Sequence, residues 1–145
     1  MPRNTMYEGE GIKTFIPQRE PMLMVDALYQ ADDTSVDTGL TIAKTNIFCD
    51  EEGNFSESGV IEHIAQSAAV FAGYNDWKNG RPIVLGYIAE IKKFSLLSKA
   101  KIGDKLESSL KTVSQAMNIT LMDAETKIGD NTVAKCKIKI FMDKK

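Results

Sequence analysis

The sequence predicts an α+β protein in which one long, largely buried helix lies across an antiparallel sheet. Two strand-like segments come first, at 22–30 and 34–43, and the turn-prone pair Asp32 and Asp33 joins them into a hairpin. A helical stretch follows at 59–74, and strand-like segments fill most of the remaining chain. The order of a hairpin, a helix and then several strands is typical of α+β proteins.

The helical stretch, GVIEHIAQSAAVFAGY at 59–74, is apolar on nearly every face of a helical wheel. A helix with this pattern is a buried one, and its many alanine, serine and glycine residues let a curved sheet approach closely. Ser56 or Ser58 is expected to cap the N-terminus of the helix, and Gly73 is expected to help end it. Residues 75–82 are then expected to form a turn.

The strand-like segments after the helix span 83–97, 104–116 with 118–128, and 131–143. The last segment alternates in hydrophobicity, which predicts that its two sets of side chains face opposite ways. One set is Cys136, Ile138, Ile140 and Met142, and the other is Lys135, Lys137, Lys139 and Phe141. Because one helix covers only part of such a sheet and the edge strands need cover, we expect dimerisation through the sheet.

The composition fits one ordinary domain and argues against several classes of protein. The chain has 145 residues, of which 43% are hydrophobic, so we expect a single domain over 1–145, with 1–13 as a loose polar lead-in. With 18 basic and 20 acidic residues the net charge is -2, which argues against a nucleic-acid-binding protein. No run is long and apolar enough for a membrane span or a signal peptide, which predicts a cytoplasmic protein without membrane association.

Few side chains are available as metal ligands. Cys49 and Cys136 do not form a CxxC pair, and His63 is the only histidine in the chain. A zinc site needs three or four ligands of these types, so we expect no metal. The two cysteines are expected to be free thiols in a reducing compartment.

Glu62 is the unusual residue of the apolar helix, and helical spacing places it one turn before Gln66 on the same face. Two interpretations fit. A carboxyl group that the sheet shields from water suits proton transfer near neutrality. A glutamate in the first turn is also favoured by the helix dipole and partly solvated. The helix pattern alone leaves both open.

The start of the helix offers free backbone N–H groups around Ser58, Gly59 and Val60, which suit the carbonyl oxygen of a substrate or a plain side-chain cap. We count these three residues, with Gln66, as candidate substrate-binding residues. His63 lies about 100° around the helix axis from Glu62, so we expect a histidine at the core edge or an interface and no catalytic role. The lysines on 92–101 and 135–145 predict a solvated face or a docking patch for an acidic partner.

Three segments resemble the bacterial β-hydroxyacyl-acyl carrier protein dehydratases. IPQREPMLMVD at 16–26 is similar to their LPHRYPFLLVD opening, GVIEHIAQSAAV at 59–70 to their GVLIIEALAQAAGV helix, and GYIAEIKKFSLLSKAKIGDKL at 86–106 to their later strand and turn. The IExxAQ form is similar to the dehydratase-like proteins of aryl-polyene and related lipid clusters. The resemblance implies the hotdog fold, in which an antiparallel sheet wraps around a central helix.

The resemblance also implies a dimer with acyl tunnels at its interface. The ligand it implies is an acyl thioester on the phosphopantetheine of acyl carrier protein or CoA, with no further cofactor. In the family, a histidine of the opening motif pairs across the dimer with a helix carboxylate. Glu62 matches that carboxylate, and Gln18 stands at the histidine position, where an amide has no useful basicity. The family's oxyanion glycine corresponds to Glu57, with Gly59 two residues later.

These residues leave three expectations, all within lipid biosynthesis of the fatty-acid or polyketide type. The first is a 3-hydroxyacyl-thioester dehydratase in which Glu62 is the acid and the changed dyad makes the homodimer weak or inactive. The second is an accessory subunit that forms a heterodimer with a hotdog partner carrying the histidine. The alternative is a thioesterase, in which Glu62 is the base or nucleophile and Gln18 orients a water molecule.

Overall fold

The computed structural model describes residues 4–83 and 87–141. It contains one long helix, α1 (Glu57–Lys78), and a short 3-10 helix at Gly9–Thr14. The strands are β1 (Tyr7–Glu8), β2 (Ala27–Ala31), β3 (Ser35–Thr41), β4 (Asn54–Phe55), β5 (Tyr87–Leu96), β6 (Ala100–Lys101), β7 (Lys105–Ala116), β8 (Ile119–Ile128) and β9 (Asn131–Phe141). Helix and strands therefore follow the predicted α+β order.

Seven strands form one antiparallel sheet in the order β1-β2-β3-β7-β8-β9-β5, and β4 pairs with β6 in a small second sheet. The predicted hairpin is confirmed as β2 and β3, although its first strand begins at Ala27 and not at residue 22. The residues before Ala27 instead lie against α1, as described below. Within residues 4–83 and 87–141, β5 pairs with β9 alone, so its other edge has no strand partner among them.

Helix α1 is buried along most of its length and contacts β2, β3, β5, β7 and β9 of the large sheet. Its N-cap is Ser56, whose hydroxyl oxygen accepts a hydrogen bond from the Gly59 N–H at 3.1 Å, so the first of the two predicted caps is correct. The helix runs to Lys78, which makes the expected turn over 75–82 wrong for its first half. The side chain of Asn75 stays within the helix because its amide donates to the carbonyl oxygen of Phe71 at 2.9 Å.

Gly73 lies inside the helix, so the expectation that it helps end the helix is wrong. A Cβ at this position would collide with the carbonyl oxygen of Phe15, which means that glycine permits the backbone of the opening residues to rest on the helix. The Phe15 ring then packs edge-on against Tyr74 and Trp77, at centroid distances of 5.7 and 5.8 Å. Close backbone approach is a recurring reason for glycine inside regular structure.

The segment expected as a loose lead-in at 1–13 is ordered where the structure describes it. Tyr7 belongs to β1, and its ring packs edge-on against Phe15 at 5.0 Å and Trp77 at 6.1 Å. Ile12, on the 3-10 helix, is fully buried. Tyr7 contacts Trp77 of α1 and Ile12 belongs to the hydrophobic core, so the expectation of a loose segment is wrong from Tyr7 onward.

The alternation predicted for the last strand is confirmed over β9. Cys136, Ile138 and Ile140 are buried against the helix side of the sheet, whereas Lys135 and Phe141 are exposed. Met142 lies outside the described residues, as do residues 84–86 of the segment predicted at 83–97. Both cysteines are free thiols, as predicted, and burial raises the pKa of the Cys136 thiol to about 11.

Candidate functional site

Glu62 is half-buried in the N-terminal half of α1, and Gln66 lies one turn further on. The side-chain amide of Gln66 donates a hydrogen bond of 2.8 Å to Oε1 of Glu62. The predicted pairing of these two residues on one helix face is therefore confirmed. The exposure of Glu62 is intermediate, so the sheet does not shield this carboxylate from water completely.

Gln66 also ties the helix to the opening segment, which we define as residues 16–26. Its amide nitrogen donates a second hydrogen bond to the carbonyl oxygen of Met22 at 2.7 Å, and its amide oxygen accepts one from the N–H of Met24 at 2.6 Å. Both N–H groups of this buried amide are thereby used. Gln66 is therefore suited to hold Glu62 in place. The prediction that Gln66 binds substrate finds no free N–H donor on its side chain.

The expectation of free N–H groups at Gly59 and Val60 is wrong. The Gly59 N–H lies 3.0 Å from the carbonyl oxygen and 3.1 Å from the hydroxyl of Ser56, and the Val60 N–H lies 3.2 Å from the same carbonyl. Gly59 has a packing role as well, because a Cβ there would lie 2.5 Å from the Phe55 ring. Of the predicted donors, Ser58 remains: it is exposed and lies in the first turn, where N–H groups have no intrahelical acceptor.

Gln18 lies on an irregular part of the opening segment that Arg19 holds in shape. The guanidinium group of Arg19 donates hydrogen bonds of 2.8 Å to the carbonyl oxygens of Ile16 and Gln18. The side-chain oxygen of Gln18 is buried, and it accepts no hydrogen bond from any part of the chain that the structure describes. The structure gives no hydrogen bond between Gln18 and Glu62 among those residues, so one protomer does not join the two by itself.

His63 lies in the core, which corrects the expected position at the core edge or an interface. Its ring is fully buried, with Nδ1 at 2.7 Å from the Met24 carbonyl oxygen and Nε2 at 2.9 Å from the Ser108 hydroxyl. Burial lowers the pKa of His63 to about 4, and the hydrogen bond to Met24 opposes this decrease in part. The ring is therefore neutral near pH 7, and the absence of a catalytic role remains the expected reading.

The directions of the hydrogen bonds around His63 follow from the groups themselves. A carbonyl oxygen only accepts, so Nδ1 carries the proton and donates to Met24, and Nε2 accepts from Ser108. Ser108 lies 2.7 Å from the Thr126 hydroxyl, which must then be the donor in that pair. A second buried pair ties the helix to β3: Thr38 lies 2.7 Å from Ser67, whose hydroxyl donates to the carbonyl oxygen of His63 at 2.8 Å.

Sequence reasoning missed these buried hydroxyl groups. Thr38, Ser108 and Thr126 occupy directly opposed positions on β3, β7 and β8, and all three face the helix. The signal was present in the sequence, because each replaces an apolar residue at an inward-facing position of an alternating strand. A buried hydroxyl needs a partner. Ser67 and His63 of the helix provide it for Thr38 and Ser108, and Ser108 provides it for Thr126.

The lysines of β9 support the reading of a solvated face more than that of a docking patch. Lys137 forms an ion pair of 2.7 Å with Asp123, and Lys135 lies 3.7 Å from Glu125. These carboxylates stand opposite the lysines on the neighbouring strand β8. Exposed pairs of this kind contribute about 0–1 kcal/mol each, and they neutralise much of the positive charge.

Two features of residues 4–83 and 87–141 bear on metal ions and membranes. No group of three or more His, Cys, Asp and Glu side chains is arranged there to hold a metal ion. The same residues contain no helix with the length and hydropathy of a membrane span.

Comparison with known families decides the assignment. Residues 10–145 match the model of the ApeP-like family, whose description is ApeP dehydratase. The chain belongs to the ApeP-like dehydratase family. The opening segment, α1 and the strands after it all lie within the matched range, so this membership covers the whole candidate site.

Individual relatives agree with the ApeP-like assignment. The 3-hydroxyacyl-[acyl-carrier-protein] dehydratase FabZ of Rhizobium etli is 27% identical over 143 residues, which cover 92% of this chain and 88% of the relative. Among solved structures, the dehydratase heterocomplex ApeI:P from Xenorhabdus doucetiae matches with a TM-score of 0.83 at 15% identity, covering 92% of this chain and 91% of the other. A hypothetical thioesterase from Streptococcus pneumoniae, solved with coenzyme A, matches with a TM-score of 0.64 at 16% identity over 80% of this chain and 84% of the other.

The structural matches establish the fold of this ApeP-like chain as a hotdog, with the antiparallel sheet packed around α1. The family and the FabZ relative identify it as a dehydratase-like member of that fold. The predicted family and fold are therefore confirmed. The roles of Glu62 and Gln18 remain predictions, because no hydrogen bond joins the two side chains within the described residues.

Proposed function

We propose that this chain is a dehydratase-like hotdog subunit for 3-hydroxyacyl thioesters, and that it supplies Glu62 to a site whose histidine comes from a partner subunit. The observation that carries the proposal is the position of His63. This only histidine of the chain is fully buried, with both ring nitrogens engaged by Met24 and Ser108. It is not placed to act as a base on a substrate, and Gln18 holds the position at which the related motif has its histidine.

The chemistry divides between an acid and a base. Dehydration breaks the Cα–H and Cβ–O bonds of the 3-hydroxyacyl group, forms the Cα=Cβ double bond and releases water. Glu62 in its acid form protonates the leaving hydroxyl group, while Gln66 holds Oε1 and leaves Oε2 for the substrate. The Cα proton goes to a base, a role that neither Gln18 nor the buried His63 can fill.

The first turn of α1 supports binding of the thioester carbonyl oxygen. The N–H groups of Glu57 and Ser58 have no intrahelical acceptor, and Glu57 occupies the position of the family's glycine. Both residues are exposed, so an acyl thioester has access to this end of the helix. Donors aimed at a carbonyl oxygen polarise it and stabilise the enolate-like charge that develops when Cα loses its proton.

The missing base determines which assembly is active. Loss of a general base costs about 10²–10⁴-fold in rate, so the homodimer is weak or inactive. A heterodimer with a hotdog partner that carries the histidine contains one complete pair, made of Glu62 and the partner's base. The similarity to the ApeI:P heterocomplex supports such a pairing. The acyl group is carried on the phosphopantetheine of acyl carrier protein or CoA, in lipid biosynthesis of the fatty-acid or polyketide type.

Purification of the tagged chain from its native host tests the proposal. We expect a histidine-bearing hotdog protein to co-purify, and the complex to dehydrate 3-hydroxyacyl thioesters at least a hundredfold faster than the homodimer. Glu62→Gln should abolish that gain, while Glu52→Gln, on an exposed loop, should keep it. Recovery of the homodimer alone, or full activity of the Glu62→Gln complex, contradicts the proposal.

A thioesterase is the second candidate, and one observation favours it. The buried oxygen of Gln18 accepts no hydrogen bond within the described chain, so it is available to orient a water molecule that Glu62 activates. The test is release of free thiol from acyl-CoAs of different chain lengths. Release that disappears in both Glu62→Gln and Gln18→Ala supports this function, and no release at any chain length removes it.

A further inference from the structure

We propose that His63 is a positioning residue for Glu62, and that it acts through hydrogen bonds that meet at the main chain of Met24. The effect on catalysis rests on the proposed function, whereas the hydrogen bonds themselves do not. The related helix motif has alanine immediately after the carboxylate, so His63 is a difference of this sequence from that motif. A histidine that merely fills space is the competing explanation, and the hydrogen bonds argue against it.

The hydrogen bonds run from the sheet, at Thr126, to the carboxylate of Glu62. The Thr126 hydroxyl donates to Ser108, and Ser108 donates to Nε2 of His63. Nδ1 of His63 donates to the carbonyl oxygen of Met24 at 2.7 Å. The N–H of Met24 donates to Oε1 of Gln66 at 2.6 Å, and Nε2 of Gln66 donates to Glu62 at 2.8 Å. The N–H and C=O of Met24 belong to adjacent peptide groups, so the two sets of hydrogen bonds are joined through the main chain of this residue.

Met24 is the link that gives His63 its influence. His63 holds the carbonyl oxygen of Met24, while Gln66 holds its N–H group, so two side chains of one helix grip the same residue of the opening segment. All these groups are at most 1% exposed. In such surroundings water cannot replace a lost partner. Loss of the His63 bond therefore loosens Met24, and with it the amide that holds Glu62.

Two substitutions separate hydrogen bonding from packing. His63→Leu fills a similar volume without a donor, whereas His63→Asn keeps an N–H donor close to the place of Nδ1. Thr38→Val is the matched control, because it removes another buried hydrogen bond to the same helix, through Ser67, without touching Met24. If His63 acts by position, asparagine rescues what leucine loses and Thr38→Val changes little.

The first measurement uses the wild-type protein and needs no activity. Because the chain has one histidine, ¹⁵N-histidine labelling gives one pair of ring-nitrogen signals. We expect a proton on Nδ1 and none on Nε2, with no titration between pH 8 and 5. A proton on Nε2, or a ring that titrates near pH 6.5, would overturn the inference whether or not the protein is a dehydratase.

The second measurement follows the variants in the complex with the histidine-bearing partner. We expect His63→Leu to lower kcat for dehydration about tenfold with KM within twofold, the effect of one lost hydrogen bond to a buried group. His63→Asn and Thr38→Val should stay within threefold of the wild type. Equal loss in the leucine and asparagine variants, or no loss in either, overturns the inference. If the complex has no activity, the proposed function fails, and the exchange rate of the Met24 amide decides instead: at least tenfold faster in His63→Leu than in His63→Asn, or the inference is wrong.

Discussion

The side-chain amide of Gln66 bonds the carboxylate of Glu62 at 2.8 Å, and the same amide holds the main chain of the opening segment at Met22 and Met24. One residue thus joins two of the three sequence motifs that resemble the dehydratases. The geometry of the candidate acid depends on a contact between residues more than 40 positions apart, because Met22 and Met24 precede Gln66 by 44 and 42 residues. Substitutions in the opening segment should therefore change the position of the Glu62 carboxylate.

Replacement of Gln66 should destabilise the protein as well as free Glu62. Gln66→Leu keeps the volume but leaves the buried N–H of Met24 and the carbonyl oxygen of Met22 without partners. An unsatisfied buried group costs about 1–3 kcal/mol, and the Met22 carbonyl is only partly buried and costs less, so we expect the free energy of unfolding in urea to fall by about 2–4 kcal/mol. Gln115→Leu, at an exposed position with one long hydrogen bond of 3.3 Å, should change it by less than about 0.5 kcal/mol. Equal effects at the two sites would show that the hydrogen bonds of Gln66 do not stabilise the contact between the opening segment and the helix.

Restoration of the family's histidine should create activity in the homodimer. In Gln18→His the new imidazole stands at the histidine position of the related motif, which the proposed function pairs with a helix carboxylate of another subunit. We expect dehydration of 3-hydroxyacyl thioesters to rise at least tenfold and to increase with pH through about 6.5, as the neutral imidazole forms. Gln18→Asn, which adds no base, should remain at the starting level. A folded Gln18→His homodimer without any gain would show that this position is not part of the site.

The elements of the fold were predictable because their signals are local. Strand β9 alternates from Lys135 to Phe141, and α1 is apolar on nearly all sides, so each pattern can be read within a short window. The end of α1 was not predictable in this way. Asn75 and Trp77 look like turn residues, but Asn75 bonds within the helix and Trp77 packs on Tyr7 and Phe15 from the start of the chain. Tertiary contacts extended the helix past its local signal.

The contacts of the candidate site were likewise predictable only where their signal in the sequence is local. Helical spacing alone predicted that Glu62 and Gln66 meet, since residues four apart share a face. The partners of His63 are Met24 on the opening segment and Ser108 on β7, which are 39 and 45 residues away in the sequence. No periodicity in the sequence indicates these contacts. The free N–H groups expected at Gly59 and Val60 were lost to Ser56, whose hydroxyl and carbonyl oxygens both accept from this turn. A cap residue was predicted, but not how many donors it would use.

Gly73→Ala should disturb the contact between the opening residues and the helix. The added Cβ would collide with the carbonyl oxygen of Phe15, a backbone atom that cannot move aside as a flexible side chain does. Overpacking of this kind costs about 1–3 kcal/mol, measurable as a lower free energy of unfolding in urea. Gly11→Ala is the control, because its Cβ would meet Tyr7 at an ordinary 3.5 Å. If both variants are equally stable, the helix and the residue-15 backbone are not in close contact.

The buried His63 predicts how stability depends on pH. Its pKa is about 4 in the folded protein and about 6.5 in an unfolded chain, so between these values the unfolded state binds more protons. The free energy of unfolding should therefore fall as pH drops from about 6.5 to 4, by at most about 3 kcal/mol from this residue, and should not fall further on its account below pH 4. Urea unfolding of the wild type and His63→Asn across this range isolates the effect, because the asparagine does not titrate while carboxylates such as Asp26 titrate in both. The difference between the two curves should favour the variant increasingly toward pH 4, and a difference that stays constant with pH would mean that His63 is accessible to protons in the folded state.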